Sequence, residues 1–206
     1  MQVSAELRWY WKGTPAPGLA EWFKSTDHHP HPPGGGTAPR TDLYRRDATQ
    51  DELAIKLRGN KPGFEVKGLV EELGAIGADP FRGDAELWTK WTLEGLRLDA
   101  EDVIAITKLR WLRKLDTGGS TVHEVALDAR EDTKDGKRPS IGCQIELTQI
   151  FVVDEEWWSF SFEAFGGVND VASSLRAGTA EMGRRRPPPL TDGILASYPA
   201  WLRERR

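Results

Sequence analysis

Apolar and polar residues alternate with a period of two in at least six segments of this chain. In residues 2–12, Leu7 and Trp9 fall on one face of an extended chain, while Glu6 and Arg8 fall on the other. Successive side chains of a β-strand point to opposite sides of a sheet, so this alternation is typical of a strand with one buried face. The clearest segments are 2–12, 42–47, 52–59, 64–70, 142–154 and 156–167. Weaker patterns predict further strands at 85–95, 99–116 and 121–132.

The number and spacing of these segments limit the fold class. Turn sequences rich in Gly, Pro and Asp separate most of the eight or nine predicted strands, and 71–84 predicts a longer connection. This spacing favours an antiparallel sandwich or barrel over a parallel α/β fold, and a barrel has the advantage of closing its own edges. Residues 168–183 predict a helix with Asn169 as N-cap. The expected class is α+β, mainly antiparallel β with flanking helices, in a single domain (1–206) with a C-terminal helical appendage from about residue 168.

The overall charge and the cysteine content exclude several classes of protein. The chain of 206 residues has a formal net charge of −4 and a pI near 5.7, so it lacks the basic field of a typical nucleic-acid binder. A local basic pocket is still compatible with that charge. Cys143 is the only cysteine, which excludes an intramolecular disulfide and a thiolate metal cluster and favours a cytoplasmic location. No signal peptide or membrane-spanning apolar run is present, so no membrane partner is expected.

Charged residues occupy the less apolar face of several predicted strands. They are Glu6, Arg8, Lys56, Arg58, Glu65, Lys67, Lys108, Arg110, Glu146 and Glu163. One interpretation is a solvated outer face, because charged side chains usually lie in water. The other is a polar interior in which Arg and Lys converge on phosphate oxygens while Glu holds a divalent cation that bridges the phosphates.

The order of these segments resembles the CYTH superfamily, the triphosphate tunnel metalloenzymes. The likeness rests on ELR, LYRRD, ELAIKLRG, FEVKG, KLRWLRKL, VHEVALD and GCQIELTQI, and it covers roughly residues 3–165. The resemblance implies a closed eight-stranded antiparallel barrel with a charged tunnel. It implies that a triphosphate is held by Arg8, Lys56, Arg58, Lys67, Lys108 and Arg110. It also implies that Mg²⁺ or Mn²⁺ is held by Glu6, Glu146 and Glu163, which would act in catalysis by activating a water.

The sequence departs from this family pattern at two carboxylate positions. Where the family opens with Glu-x-Glu-x-Lys, this chain has Ser4-Ala5-Glu6-Leu7-Arg8, and Gln144 stands at one position of the later Glu-x-Glu if that motif matches Gln144-Ile145-Glu146. A match to Glu146-Leu147-Thr148 would lack one carboxylate as well. Mg²⁺ prefers anionic oxygen ligands, so these losses weaken a metal site.

We therefore expect the chain to bind a triphosphate-bearing or polyphosphate ligand, with slow or absent triphosphatase activity. The alternative is a non-catalytic β-barrel that binds another small molecule or a protein partner. A nucleic-acid module is a weaker option, because the acidic pI opposes the suggestion made by the interleaved Trp and Arg of LRWLRKL.

Two further motifs have a simpler interpretation than a binding site. His28, His29 and His31 could bind a transition metal, but they lie in a segment rich in Pro and Gly, so a mobile surface loop is predicted. Arg184–Arg186 could bind phosphate, but they precede three prolines, and a solvated linker is predicted there.

Overall fold

The computed structural model describes residues 2–45, 51–59, 63–94 and 103–205. In this part of the chain the strands are β1 (Gln2–Lys12), β2 (Gly34–Gly35), β3 (Arg40–Arg45), β4 (Leu53–Arg58), β5 (Phe64–Ile76), β6 (Gly83–Leu93), β7 (Val103–Asp116), β8 (His123–Val125), β9 (Gly142–Val152), β10 (Glu155–Gly166) and β11 (Ile194–Leu195). The helices are α1 (Leu19–Lys24), α2 (Val171–Gly183) and α3 (Tyr198–Arg203).

Eight of these strands form a closed antiparallel barrel. Their order is β10–β9–β7–β3–β4–β5–β6–β1, and β1 pairs with β10 to close the ring. The closing pair stays in register from Val3 opposite Gly166 to Lys12 opposite Trp157. The short strands β2 and β8 pair with β7, and β11 pairs with β1. The predicted fold class, a mainly antiparallel closed barrel with flanking helices, is confirmed.

The largest apolar cluster lies outside the barrel wall, between the wall and two helices. Leu7 and Trp9 of β1, together with Phe160 and Phe162 of β10, are almost fully buried there. Their helical partners include Trp22, Phe23, Leu175 and Met182 of α1 and α2. Burying one such apolar side chain contributes about 1.5–3 kcal/mol. This outer layer therefore fixes the alternation of β1 and β10 and directs their polar residues into the barrel.

Helix α3 fills one end of the barrel interior. The Trp201 ring stacks on Tyr10 with centroids 4.6 Å apart, and the Tyr198 ring stacks on Tyr44 at 5.0 Å. The Ser197 side chain caps the helix by accepting the Ala200 N–H at 3.3 Å. The same buried cluster contains Ile104, Ile106, Ile150, Val152, Trp157 and Leu202. The predicted C-terminal appendage is thus an integral part of the barrel's packing at this end.

Two predicted segments on the barrel differ from the observed ones for local reasons. β5 continues to Ile76, where the sequence predicts a connection over 71–84, because register shifts between β5 and β6 accommodate the extra residues as bulges. Of the strand predicted at 121–132, only His123–Val125 is a strand. Its second half is a turn, because the Asp128 carboxylate accepts backbone N–H groups that a strand would use for pairing.

The start of the long helix also differs from the prediction. α2 begins at Val171 with Asp170 at the N-cap, not at 168 with Asn169. The N–H groups of Asp170 and Val171 both donate to the Gly167 carbonyl, so residues 167–170 form a turn before the helix. Predicted strand or turn residues 46–47, 60–62, 95 and 99–102 lie outside the described residues. None of the described helices has the length and apolar character needed to cross a membrane.

Candidate functional site: a basic cavity inside the barrel

A cavity of about 490 Å³ lies inside the barrel next to α3. Among the described residues, nine Lys and Arg side chains and four Glu side chains line it. The basic residues are Arg8, Arg40, Lys56, Arg58, Lys67, Lys90, Lys108, Arg110 and Arg130. The whole chain has a formal net charge of −4. Positive charge is therefore gathered in the interior, while negative charge predominates in the rest of the protein.

The structure brings the predicted site residues together. All six predicted basic ligands line the cavity, and so do Glu146 and Glu163. Glu6 contacts the cavity through its ion pair with Lys67. The alternation of each strand explains this convergence, because the opposite faces of β1, β9 and β10 pack in the outer apolar layer. The interpretation of these residues as a solvated outer face is therefore wrong.

One wall of the cavity is formed by β4 and β5, which pair with Lys56 opposite Glu65. The Glu65 carboxylate lies 3.2 Å from Lys56 Nζ and 3.4 Å from Arg58 Nη1. Burial alone would raise the pKa of Glu65, but the two cations hold it below its ordinary value. The single negative charge of Glu65 thus pairs with two basic side chains, so this wall has a net positive charge.

Lys108 lies beside the aromatic residues of the α3 end. Its ammonium donates to the Tyr44 hydroxyl at 2.7 Å and sits 4.1 Å from the centroid of the Tyr198 ring. Burial lowers the pKa of Lys108 to about 8. Burial would raise the pKa of Tyr44, but Lys108 and Lys56 lower it below its ordinary value.

Glu146 is the most strongly engaged carboxylate of the opposite wall. Arg110 Nη1 donates to Glu146 Oε1 at 2.8 Å, and Arg8 Nη2 lies 3.8 Å from the other oxygen. Burial would raise the pKa of Glu146, but Arg110 and Arg8 hold it at about 2. Arg8 also donates to the Ser159 hydroxyl at 3.3 Å. Glu146 is therefore ionised at neutral pH and already shared between two arginines.

The other two predicted carboxylates face each other across the β1–β10 pair. Glu6 is in register with Glu163, and Glu163 is in register with Gln144 on β9. The Ser4 hydroxyl donates to Glu6 at 2.6 Å, and Lys67 pairs with the same carboxylate. Burial would raise the pKa of Glu6, but Lys67 keeps it lowered. Glu163 makes no ion pair with any of the described residues and lines the cavity.

This arrangement does not fit a resident divalent cation. No group of three or more His, Cys, Asp or Glu side chains suited to a metal occurs in the described part of the chain. Lys67 neutralises Glu6, and Arg110 neutralises Glu146, so two of the three predicted ligands are already paired. Ser4, which donates to Glu6, and Gln144, which is in register with Glu163, contribute no charge. We therefore assign no catalytic step to a metal here.

A glycine-rich segment lies against β7 at the side of the cavity away from α3. Gly35 pairs with Trp111, and the Gly36 N–H donates to the Arg110 carbonyl at 2.7 Å. A Cβ on Gly36 would lie 2.1 Å from Trp111 Nε1, and its φ of +73° also favours glycine. The segment can therefore lie directly on the strand that carries Lys108 and Arg110.

Several cavity residues are not among the predicted ones. Lys90 lies on β6, whose alternation could have identified it, whereas Arg40 lies two residues before the strand predicted at 42–47 because β3 begins earlier. Tyr198 enters from α3, and Glu131 enters from the turn after β8. A period-two pattern says nothing about side chains that reach the interior from a turn or a helix, so no sequence signal pointed to these two.

One member of each of the two motifs, His29 and Arg185, belongs to a buried network outside the cavity, whereas His28, Arg184 and Arg186 are exposed. His29 is buried, its Nδ1 lies 2.9 Å from Arg185 Nη1, and Arg185 also pairs with Glu124. Burial and the nearby Arg113 and Arg185 lower the pKa of His29 to about 3, so it is neutral at physiological pH. The predictions of a mobile loop at His29 and a solvated linker at Arg185 are therefore wrong.

The comparisons with known proteins add no family to this description. The chain matches no protein-family model and no curated protein. Any function must therefore be argued from the cavity itself.

Proposed function

We propose that the cavity binds a polyanion of the polyphosphate class, either a linear polyphosphate or the triphosphate group of a larger molecule. The observation that carries the proposal is the gathering of nine Lys and Arg side chains around about 490 Å³ of interior space. Like charges repel strongly where water is scarce. A bound polyanion would relieve that repulsion, and several Arg side chains offer the bidentate geometry that phosphate oxygens accept.

The protein's own carboxylates leave this charge only partly compensated. Within the described ranges, nine basic side chains face six carboxylates in or beside the cavity, which are those of Glu6, Asp42, Glu65, Glu131, Glu146 and Glu163. Lys90 makes no ion pair with the described residues, although it lines the cavity. A ligand with several adjacent negative charges complements this distribution better than a single carboxylate or a neutral molecule does.

Hydrolysis of the ligand lies outside this proposal. The three predicted carboxylates do not fit a divalent ion as they are arranged, because Glu6 and Glu146 are held by basic side chains. Slow or absent triphosphatase activity in Mg²⁺ or Mn²⁺ remains our expectation. A binding role in the cytoplasm, where phosphorylated small molecules are plentiful, is the setting that we propose.

Thermal unfolding in the presence of tripolyphosphate tests the proposal. A ligand at 100 times its Kd adds about 2.7 kcal/mol to the free energy of unfolding. We expect millimolar tripolyphosphate to raise the Tm of the wild type and to leave that of an Arg58→Ala/Arg110→Ala variant unchanged. The matched control is Arg176→Ala/Arg184→Ala, which removes two exposed arginines, one on α2 and one at its C-cap, that do not line the cavity.

The outcomes separate the candidate functions. A wild-type Tm that does not move at millimolar tripolyphosphate would contradict the proposal and favour a barrel for another small molecule or a protein partner. A shift that the control variant also loses would mean that general charge attraction, not the cavity, is responsible. A shift with nucleoside triphosphate but not with tripolyphosphate would mean that the organic part of the ligand is required.

A further inference from the structure

The guanidinium of Arg110 is already occupied by two carboxylates in this structure. Its Nε donates to Glu131 Oε1 at 2.9 Å, and its Nη2 pairs with Glu131 Oε2. Its Nη1 donates to Glu146. The Glu131 carboxylate thus makes a bidentate contact with the Nε–Nη2 edge of the guanidinium. A phosphate group with two free oxygens would use the same edge.

Glu131 reaches this position from the turn that follows β8 and not from a barrel strand. It belongs to a turn in which the Asp128 carboxylate accepts the N–H groups of Arg130 and Asp132 at 2.8 and 3.0 Å. The Glu131 N–H donates to the Asp128 carbonyl at 3.0 Å, and its φ of +67° is unusual for a residue with a side chain. The turn therefore holds Glu131 in a conformation that presents its carboxylate to Arg110.

We propose that Glu131 is an internal competitor that occupies the oxyanion subsite of Arg110 until a polyphosphate displaces it. This inference rests on the proposed function, and it deepens that function by assigning Arg110 to one phosphoryl group of the ligand. The Glu131 and Arg110 side chains are 21% and 20% exposed, whereas Glu146 is 10% exposed and part of the wall. Glu131 is therefore the partner that an incoming ligand can replace, while Glu146 continues to orient the guanidinium.

The size of the competition follows from the exposure of the pair. Partly exposed ion pairs contribute about 0.2–1 kcal/mol, which corresponds to at most about a fivefold change in an equilibrium constant. Every ligand that uses Arg110 must overcome this contact. Removing the Glu131 charge should therefore tighten tripolyphosphate binding by about two- to fivefold, and only while Arg110 is present.

Isothermal titration with tripolyphosphate, run on four variants and the wild type, tests this inference. Glu131→Gln should bind about two- to fivefold more tightly than the wild type. Asp132→Asn is the matched control, because it removes the same charge from the next residue of the turn, whose partner is Arg138. We expect no gain from it. In an Arg110→Ala background, Glu131→Gln should give no gain over Arg110→Ala alone.

Each result decides between the two proposals. Tripolyphosphate binding by the wild type with no gain in a folded Glu131→Gln variant overturns the competitor and leaves the proposed function intact. A gain that persists without Arg110, or that Asp132→Asn reproduces, also overturns it, because the effect would then be one of general charge. Absence of binding in the wild type and in Glu131→Gln overturns both proposals. Thermal unfolding of each variant confirms that the fold is retained.

Discussion

Arg110 and Arg113 lie three residues apart on β7 and face opposite sides of the barrel wall. Arg113 is fully buried on the outer side, where its guanidinium donates to the carbonyls of Phe23 and Ser25 and to Glu124 at 2.6–3.0 Å. Arg110 faces the cavity, is partly exposed and donates to side-chain carboxylates. An arginine whose donors end on fixed backbone carbonyls holds the fold together, whereas we propose that Arg110 can exchange one of its carboxylates, Glu131, for a ligand.

The largest expected effect of this difference is on stability. Arg113→Leu would leave the buried Glu124 with one fewer cation and several backbone carbonyls without a donor. Breaking a buried pair by removing one partner typically destabilises a protein by about 3–5 kcal/mol. Urea unfolding of Arg113→Leu should therefore show a loss of that size.

Arg110→Leu is the matched variant on the other side of the strand. We expect it to lower the free energy of unfolding by less than half as much, because Glu131 is partly exposed to water and Arg8 still faces the buried Glu146. Equal losses in the two variants would contradict the distinction between a structural and a ligand-binding arginine. The tripolyphosphate-dependent rise in Tm should in turn be weakened in Arg110→Leu.

The alternation of the strands made most of this architecture predictable. β1 runs over the predicted residues 2–12, and the polar faces of β9 and β10 were assigned correctly because each is opposite a continuous apolar face. What the pattern could not supply is the identity of the partners on each side. Arg113 is a charged residue on the apolar outer face of β7, and its carbonyl partners come from α1 and the loop after it.

A smaller effect is expected from two residues on opposite faces of β9. Ile145 is fully buried in the outer layer, so Ile145→Val should cost about 0.5–1.5 kcal/mol. Thr148 faces the cavity, and its buried hydroxyl has no partner among the described residues. Thr148→Val keeps the shape and removes an unsatisfied polar group, so stability should be unchanged or slightly higher. A clear loss in Thr148→Val would show that its hydroxyl has a partner, such as a bound water.

The candidate site was predictable only where it is built from strands. The six basic positions were predicted from period two, as members of the less apolar face of each strand, although the opposite, apolar face of β4 is only half-buried. The pairing of Glu6 with Lys67 and of Glu146 with Arg110 depends on which strands become neighbours. Which strands are adjacent is a property of the closed barrel, in which β1 pairs with both β6 and β10. The alternation within a single strand does not predict its neighbours.

The smallest expected effect concerns protons at the inner side of the site. Burial lowers the pKa of Lys108 to about 8, so part of the population of this side chain is neutral at pH 8, and Tyr44 beside it also has a lowered pKa. A bound polyanion favours the ammonium over the amine and the phenol over the phenolate, so it raises both pKa values. Binding at pH 8 should therefore take up a fraction of a proton. At pH 6 both groups are protonated with or without ligand, so their proton uptake should vanish.

Titrations in two buffers of different ionisation enthalpy measure this uptake. Lys108→Arg with Tyr44→Phe keeps the positive charge and removes both titrating groups, so uptake that persists in that variant would show that the ligand lies elsewhere.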